Sequence, residues 1–186
     1  MFIQTEQTPN PATLKFLPGR AVMESGTADF PNAAEAEGRS PLAERLFQVE
    51  GVTAVFFGAD FITVTKSEGT DWAHAKPSIL GAILEHYQSG RPAIEGETES
   101  AHATQEGPDG EVVEQIKELL DTRVRPAVAQ DGGDITFHGF DRGVVYLHMK
   151  GACAGCPSST MTLKMGIENL LRHYIPEVTE VRQVAV

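Results

Sequence analysis

Apolar positions along the chain recur with two different periods, and these predict the elements. Residues 2–5 and 13–17 read as short strands, and Pro9, Asn10 and Pro11 supply the rigid turn between them. Residues 18–39, rich in Ala, Gly and Glu, show neither period and read as irregular. Ser40 before Pro41 then opens a helix with Leu42, Leu46 and Val49 inward and Gly51 as its stop. Residues 52–57 and 61–65 form a hairpin around Gly58, Ala59 and Asp60. A helix from Lys76 and Pro77 to Ser89 places Ile79, Leu80, Ile83, Leu84 and Tyr87 inside, with Gly90 ending it. Trp72, just ahead of that helix, is a core or helix-entry anchor.

Helical spacing returns over 110–124, where Val112, Val113, Ile116, Leu119, Leu120 and Val124 make an apolar stripe that Pro126 ends or bends. Strands follow at 135–140 and 144–149, joined by a turn at Asp141, Arg142 and Gly143. Leu163, Ile167, Leu170, Leu171 and Tyr174 share one face of a later helix, Pro176 breaks the chain, and Val178, Val181 and Val184 suggest a closing strand. The pattern predicts an α+β chain of two small domains. The first is ββαββα over 1–90. The second is αββαβ over 110–186, a small mixed sheet with helices against it. Between them, 91–109 holds Pro92, Gly96, Gly107 and Pro108 with Glu95, Glu97, Glu99, Glu106 and Asp109, and reads as a flexible acidic linker.

A length of 186 residues suits one or two domains. The net charge of −11 leaves no basic face for a nucleic acid. No apolar run is long enough to span a membrane, and the first residues lack the character of a signal peptide. With two cysteines only, a reducing compartment and a cytoplasmic location are expected.

Those cysteines, Cys153 and Cys156, lie in the stretch 151–160 (GACAGCPSST), between a strand and a helix. Gly151 and Gly155 let the backbone turn, Pro157 suits the first helical position, and Ser158 and Ser159 can cap the amides there. Thiols at the positive end of a helix dipole favour the thiolate, the form that binds metals and attacks disulfides. Three chemistries use such a pair: an iron–sulfur cluster, half of a zinc site, or a redox dithiol. A structural disulfide or two idle thiols is the bland account. The histidines at 74, 86, 102, 138, 148 and 173 show no ligand-like spacing to the pair. One chain therefore cannot close a four-coordinate site, and a metal bound here must be shared by two chains. Asp131 and Asp134 flank Gly132 and Gly133, but two carboxylates at a tight turn do not make an EF-hand loop, and a turn presenting the next strand is the better account.

Residues 125–135 (RPAVAQDGGDI), the cysteine stretch, and 163–178 resemble the C-terminal module of NifU-type iron–sulfur scaffolds. Residues 2–6, 8–11 and 14–16, with Asp71, Trp72, Lys76 and Pro77, resemble the N-terminal domain of the Nfu family. The resemblance implies a scaffold or carrier, not an enzyme. It would bind a 4Fe–4S cluster (2Fe–2S remaining open) through Cys153 and Cys156 of two chains and transfer it to apo-proteins. Its implied partners are a second copy of itself, apo iron–sulfur clients and upstream cluster assembly proteins, with client recognition or positioning left to the cysteine-free first domain. The rivals are a thiol–disulfide oxidoreductase using the same pair and a structural zinc-bridged dimer.

Overall fold

The computed structural model describes residues 2–24, 26–95, 107, 109–153 and 157–184, with backbone alone at 157–160. The chain divides into two compact units, Met1–Glu99 and Ser100–Val186.

In the N-terminal unit, β1 (Gln4–Gln7), β2 (Thr13–Leu17), β3 (Ala28–Phe30), β4 (Val52–Phe57) and β5 (Ile62–Lys66) form an antiparallel sheet in the order β1-β2-β5-β4-β3. Helices α1 (Ala33–Ala36), α2 (Pro41–Phe47) and α3 (Trp72–Ser89) accompany it. The Ser40 hydroxyl accepts from the Ala43 amide at 2.9 Å and Pro41 fills the first turn, so α2 starts where the capping pattern places it. Phe16, Phe30, Phe57, Leu42, Leu46, Ile62, Ile79 and Ile83 share one core.

Four details depart from the pattern. Residues 18–39 are structured in part: they supply β3 and α1, and they bury Val22, Met23, Phe30 and Ala36. Elements of three or four residues are too short to show a period, yet Phe30 is wholly buried edge-on to Phe57, 5.3 Å between ring centres. The first strand sits at Gln4–Gln7, leaving Phe2 exposed. Helix α3 begins at Trp72, because Asp71 accepts from the Ala73 amide at 3.0 Å and the Trp72 indole donates to the Pro11 carbonyl at 3.2 Å. Pro77 thus lies inside the helix, where it forfeits one hydrogen bond. Along α3 the buried face runs through Ala75, Ile79, Ile83 and His86, while Leu84 is exposed.

Residues 91–95, at the head of the acidic segment, hold to this unit. The Glu95 amide donates to the Arg39 carbonyl at 2.7 Å, the Ser40 hydroxyl donates to the Ala93 carbonyl, and Ala93 and Ile94 pack on the core. Residues 96–106 and 108 of the expected linker lie outside the described residues.

In the C-terminal unit, α4 (Gly110–Leu119) runs into a π-helical turn (Leu120–Val124) and then α5 (Arg125–Gln130). Pro126 is the cause: its ring and missing N–H disfavour a regular α-turn. The helix widens ahead of it, the Arg125 amide reaching back to the Leu120 carbonyl, and it continues instead of ending. Strand β6 (Gly133–Asp141) pairs antiparallel with β7 (Val144–Gly151) through a two-residue turn, Arg142 (φ 51°) and Gly143 (φ 82°). After α6 (Pro157–Tyr174), β8 (Glu180–Gln183) lies parallel to β7, giving the three-stranded mixed sheet β6-β7-β8. A parallel return needs a crossover, and α6 supplies it. Glu168 of α6 accepts from the Val181 amide of β8 at 3.2 Å.

Val113, Ile116, Leu120, Val128, Ile135, Phe137, Leu147, Ile167, Leu171 and Val181 close one core between helices and sheet. Tyr174, read as inward, is about half exposed, its ring 5.3 Å from the Arg123 guanidinium. An amphipathic ring gains from a cation on one side and water on the other. The architecture is α+β in both units.

Candidate functional site

The cysteine loop begins where the β6–β7 ladder ends. Gly133 pairs with Gly151 and Asp134 with Lys150 at the last rungs, and the Ala152 amide donates to the Gly132 carbonyl at 3.1 Å. The ladder's order therefore reaches the residue before Cys153. Cys153 is buried (7% exposed) and belongs to the unit's apolar core. Cys156, the second candidate ligand, lies outside the described residues, as do Ala154 and Gly155. Backbone helix resumes at Pro157, the position its fixed φ suits.

Gly132 and Gly133, which the sequence presents as one turn, have separate jobs. Gly132 has φ 83°, a conformation glycine adopts without strain. Gly133 has no such φ. A Cβ built on it would lie 2.6 Å from Cys153 Sγ, 2.8 Å from the Lys150 carbonyl oxygen and 3.1 Å from the Cys153 amide nitrogen. The second glycine leaves room for the thiol.

The adjoining carboxylate is also spoken for. Asp134, 3% exposed, receives a two-pronged contact from Arg125: Nε to Oδ1 at 2.8 Å and Nη2 to Oδ2 at 2.9 Å. Its Oδ1 also accepts from the Ile135 amide at 2.8 Å. The third arm of Arg125 donates to Asp121 at 2.9 Å. Hydrogen bonding to Asp134 raises the Arg125 pKa despite partial burial, so the guanidinium stays charged. This fork ties the widened helical turn to the start of β6, two residues from Gly132. Asp131 caps α5 at the exposed surface, so the two acidic residues of the turn do not form a joint cation site.

Among the described residues no three His, Cys, Asp or Glu side chains gather as a metal site. His86 is buried in the other unit, and His74, His138 and His173 are exposed. His148 is half-buried in β7 opposite Thr136, and His102 lies outside the described residues. No described helix is long and apolar enough to cross a membrane.

Spacing singles out Cys153 and Cys156 but says nothing of Gly133 or the Arg125–Asp134 fork as their support. One signal was present: a turn needs a single positive φ, so a second glycine beside it invites the question of what approaches its backbone.

Comparison with known proteins bears on the family of the chain. Residues 3–90 match the family model described as scaffold protein Nfu/NifU N terminal, and residues 116–182 match that of the NifU-like domain. A human protein named NFU1 iron-sulfur cluster scaffold homolog, mitochondrial, is 56% identical over 185 residues, covering 99% of this chain and 72% of the relative. An Arabidopsis thaliana protein named NifU-like protein 4, mitochondrial, is 54% identical over 187 residues, covering 98% and 66%. The chain spans about two thirds of the length of these relatives, 64% in a Drosophila ananassae homologue. The solution structure of a NifU-like protein from Saccharomyces cerevisiae is similar at 28% identity and a TM-score of 0.48, covering 52% of this chain and 87% of that one.

The relatives' names correct one expectation. They are mitochondrial proteins, which points away from the cytoplasmic location expected above. A chain with two cysteines only does not distinguish one reducing compartment from another. With both halves matched in order and more than half of all positions identical to the human relative, the chain belongs to the Nfu family of NifU-like scaffold proteins.

Proposed function

We propose that this protein carries a 4Fe–4S cluster between two copies of the chain, held by Cys153 and Cys156 of each, and passes it to apo-proteins. The observation that carries this reading is the ligand inventory. The chain has two cysteines, both on one loop, and no cluster of three ligating side chains occurs among the described residues. A cubane cluster takes four thiolates, so two loops must face one another. Met161 and Met165, on the first turns of α6 after that loop, are 68% and 61% exposed.

The chemistry follows from that sharing. A cluster shared between two chains is opened by ligand exchange when incoming client thiolates replace one chain's pair. No bond-making step on an organic substrate is involved, so the protein acts as a carrier and not as an enzyme. The N-terminal unit, which has no cysteine, serves client recognition or positioning, and the acidic segment after residue 95 lets one unit hold a client while the other delivers. The oxidoreductase alternative is not favoured: the motif follows a β-hairpin late in the chain.

Anaerobic loading with iron and sulfide tests this. About four iron and four sulfide per pair of chains, with the mass doubling on loading, is the expected result. Cys153→Ser and Cys156→Ser should each lose the cluster while keeping the circular dichroism of the apo chain. A full cluster retained by either variant, or iron bound to a monomer, overturns the ligand assignment.

A further inference from the structure

We propose that Gly133 is a positioning residue for Cys153, holding its thiol in place before any cluster arrives. The inference rests on the reading of Cys153 as a ligand, but its geometry belongs to the chain alone. Gly133 has an ordinary β-strand conformation, so nothing in its backbone requires glycine. Space does. Ordinary contacts to a Cβ fall at 3.4–4 Å, and here the sulfur stands at 2.6 Å and the Lys150 carbonyl at 2.8 Å. A methyl group at position 133 would have to push the sulfur away by about 1 Å to reach an ordinary contact.

Both sides of the seat are fixed independently. Gly133 opens β6, beside the Asp134 carboxylate gripped by Arg125. Cys153 follows Ala152, which is itself buried and bonded to the Gly132 carbonyl. With strand and loop both held, the sulfur has little freedom to retreat from an added side chain. Cys153 is thus a preformed ligand. A thiolate already in position loses less conformational freedom on binding than one that must be ordered.

The test uses the full-length apo chain with wild type, Gly133→Ala, Cys153→Ala and the double variant. Iodoacetamide labelling followed by peptide mass analysis gives separate rates for Cys153 and Cys156. Gly133→Ala should raise the Cys153 rate about tenfold, as expected when a protected site opens locally, and leave Cys156 within about twofold. A general loosening of the unit would move both rates together. In the loaded protein, the same variant should lose its cluster to a chelator about tenfold faster, the scale on which supporting residues act at metal sites. Equal Cys153 labelling and equal cluster release in wild type and Gly133→Ala would overturn the proposal.

Should Gly133→Ala fail to fold, the Cys153→Ala background decides. Removing the sulfur should restore folding or at least halve the fall in melting temperature. The same loss in both backgrounds, or failure in both, would assign the glycine to the backbone alone and overturn the inference. If wild type takes up no iron, the ligand reading falls, while labelling and melting still decide whether Gly133 seats the thiol.

Discussion

The two units differ in how they treat one buried titratable group. Beside the cysteine loop, Asp134 is buried with two arms of Arg125 and a backbone amide upon it. In the cysteine-free unit, His86 is 1% exposed, and its Nδ1 is the one buried side-chain nitrogen or oxygen without a hydrogen-bond partner among the described residues. Glycines repeat the contrast. Gly58 admits the ring of Phe61, whereas Gly133 admits the sulfur of Cys153. The C-terminal unit satisfies its buried charge beside the cysteine loop, while the N-terminal unit leaves one buried ring nitrogen unsatisfied.

Breaking the fork should give the largest effect. Arg125→Ala leaves the Asp134 carboxylate buried without its cation, at a cost of about 3–5 kcal/mol. Hydrogen exchange should show lost protection in α4, α5, β6 and β7, with the sheet of the N-terminal unit unchanged. Arg125→Lys keeps the charge but not the paired geometry, and should fall between. A loss below about 1 kcal/mol for the alanine variant would put the fork in the class of exposed ion pairs and remove its role as a support.

A middle effect is expected at Ser40, where the N-terminal unit does satisfy its polar groups. Its hydroxyl accepts from the Ala43 amide and donates to the Ala93 carbonyl. Ser40→Ala should therefore cost about 2 kcal/mol, the loss of a helix cap together with one hydrogen bond. Limited proteolysis should then cut near residues 91–95 sooner than in wild type. Unchanged cleavage would mean that Ala93 and Ile94 hold that segment by apolar contact alone.

How far these features were legible in the sequence follows from their range. The Ser40 cap, the turn at Arg142 and Gly143 and the helix start at Pro157 are local signals, and the structure shows them where the residues place them. β3 and α1 were hidden because elements of three or four residues carry no measurable period. The Arg125–Asp134 contact spans nine residues and helix α5, and the Gly133–Cys153 contact spans a whole hairpin. Neither separation leaves a periodic trace. Both cysteines stood out by spacing, while the residue that seats one of them looked like half of a turn.

The smallest effect should come from pH, at His86. Burial lowers its pKa, and the charges of Arg45 and Arg91 lower it further. Glu85, the residue before it, pairs with Arg45 at 3.1 Å. The sign follows from which state takes up the proton. The unfolded chain protonates near the ordinary value of 6.5, while the folded unit resists. Stability is thus whole above that pH and falls as the pH drops through it. One group changes stability by at most about 1.4 kcal/mol per pH unit. Urea midpoints at pH 7.5 and 5.5 should differ more in wild type than in His86→Phe, whose ring fills the site but cannot titrate. The same pH dependence in both would show that His86 takes up its proton equally in the folded and unfolded chains, so that burial does not set its titration apart.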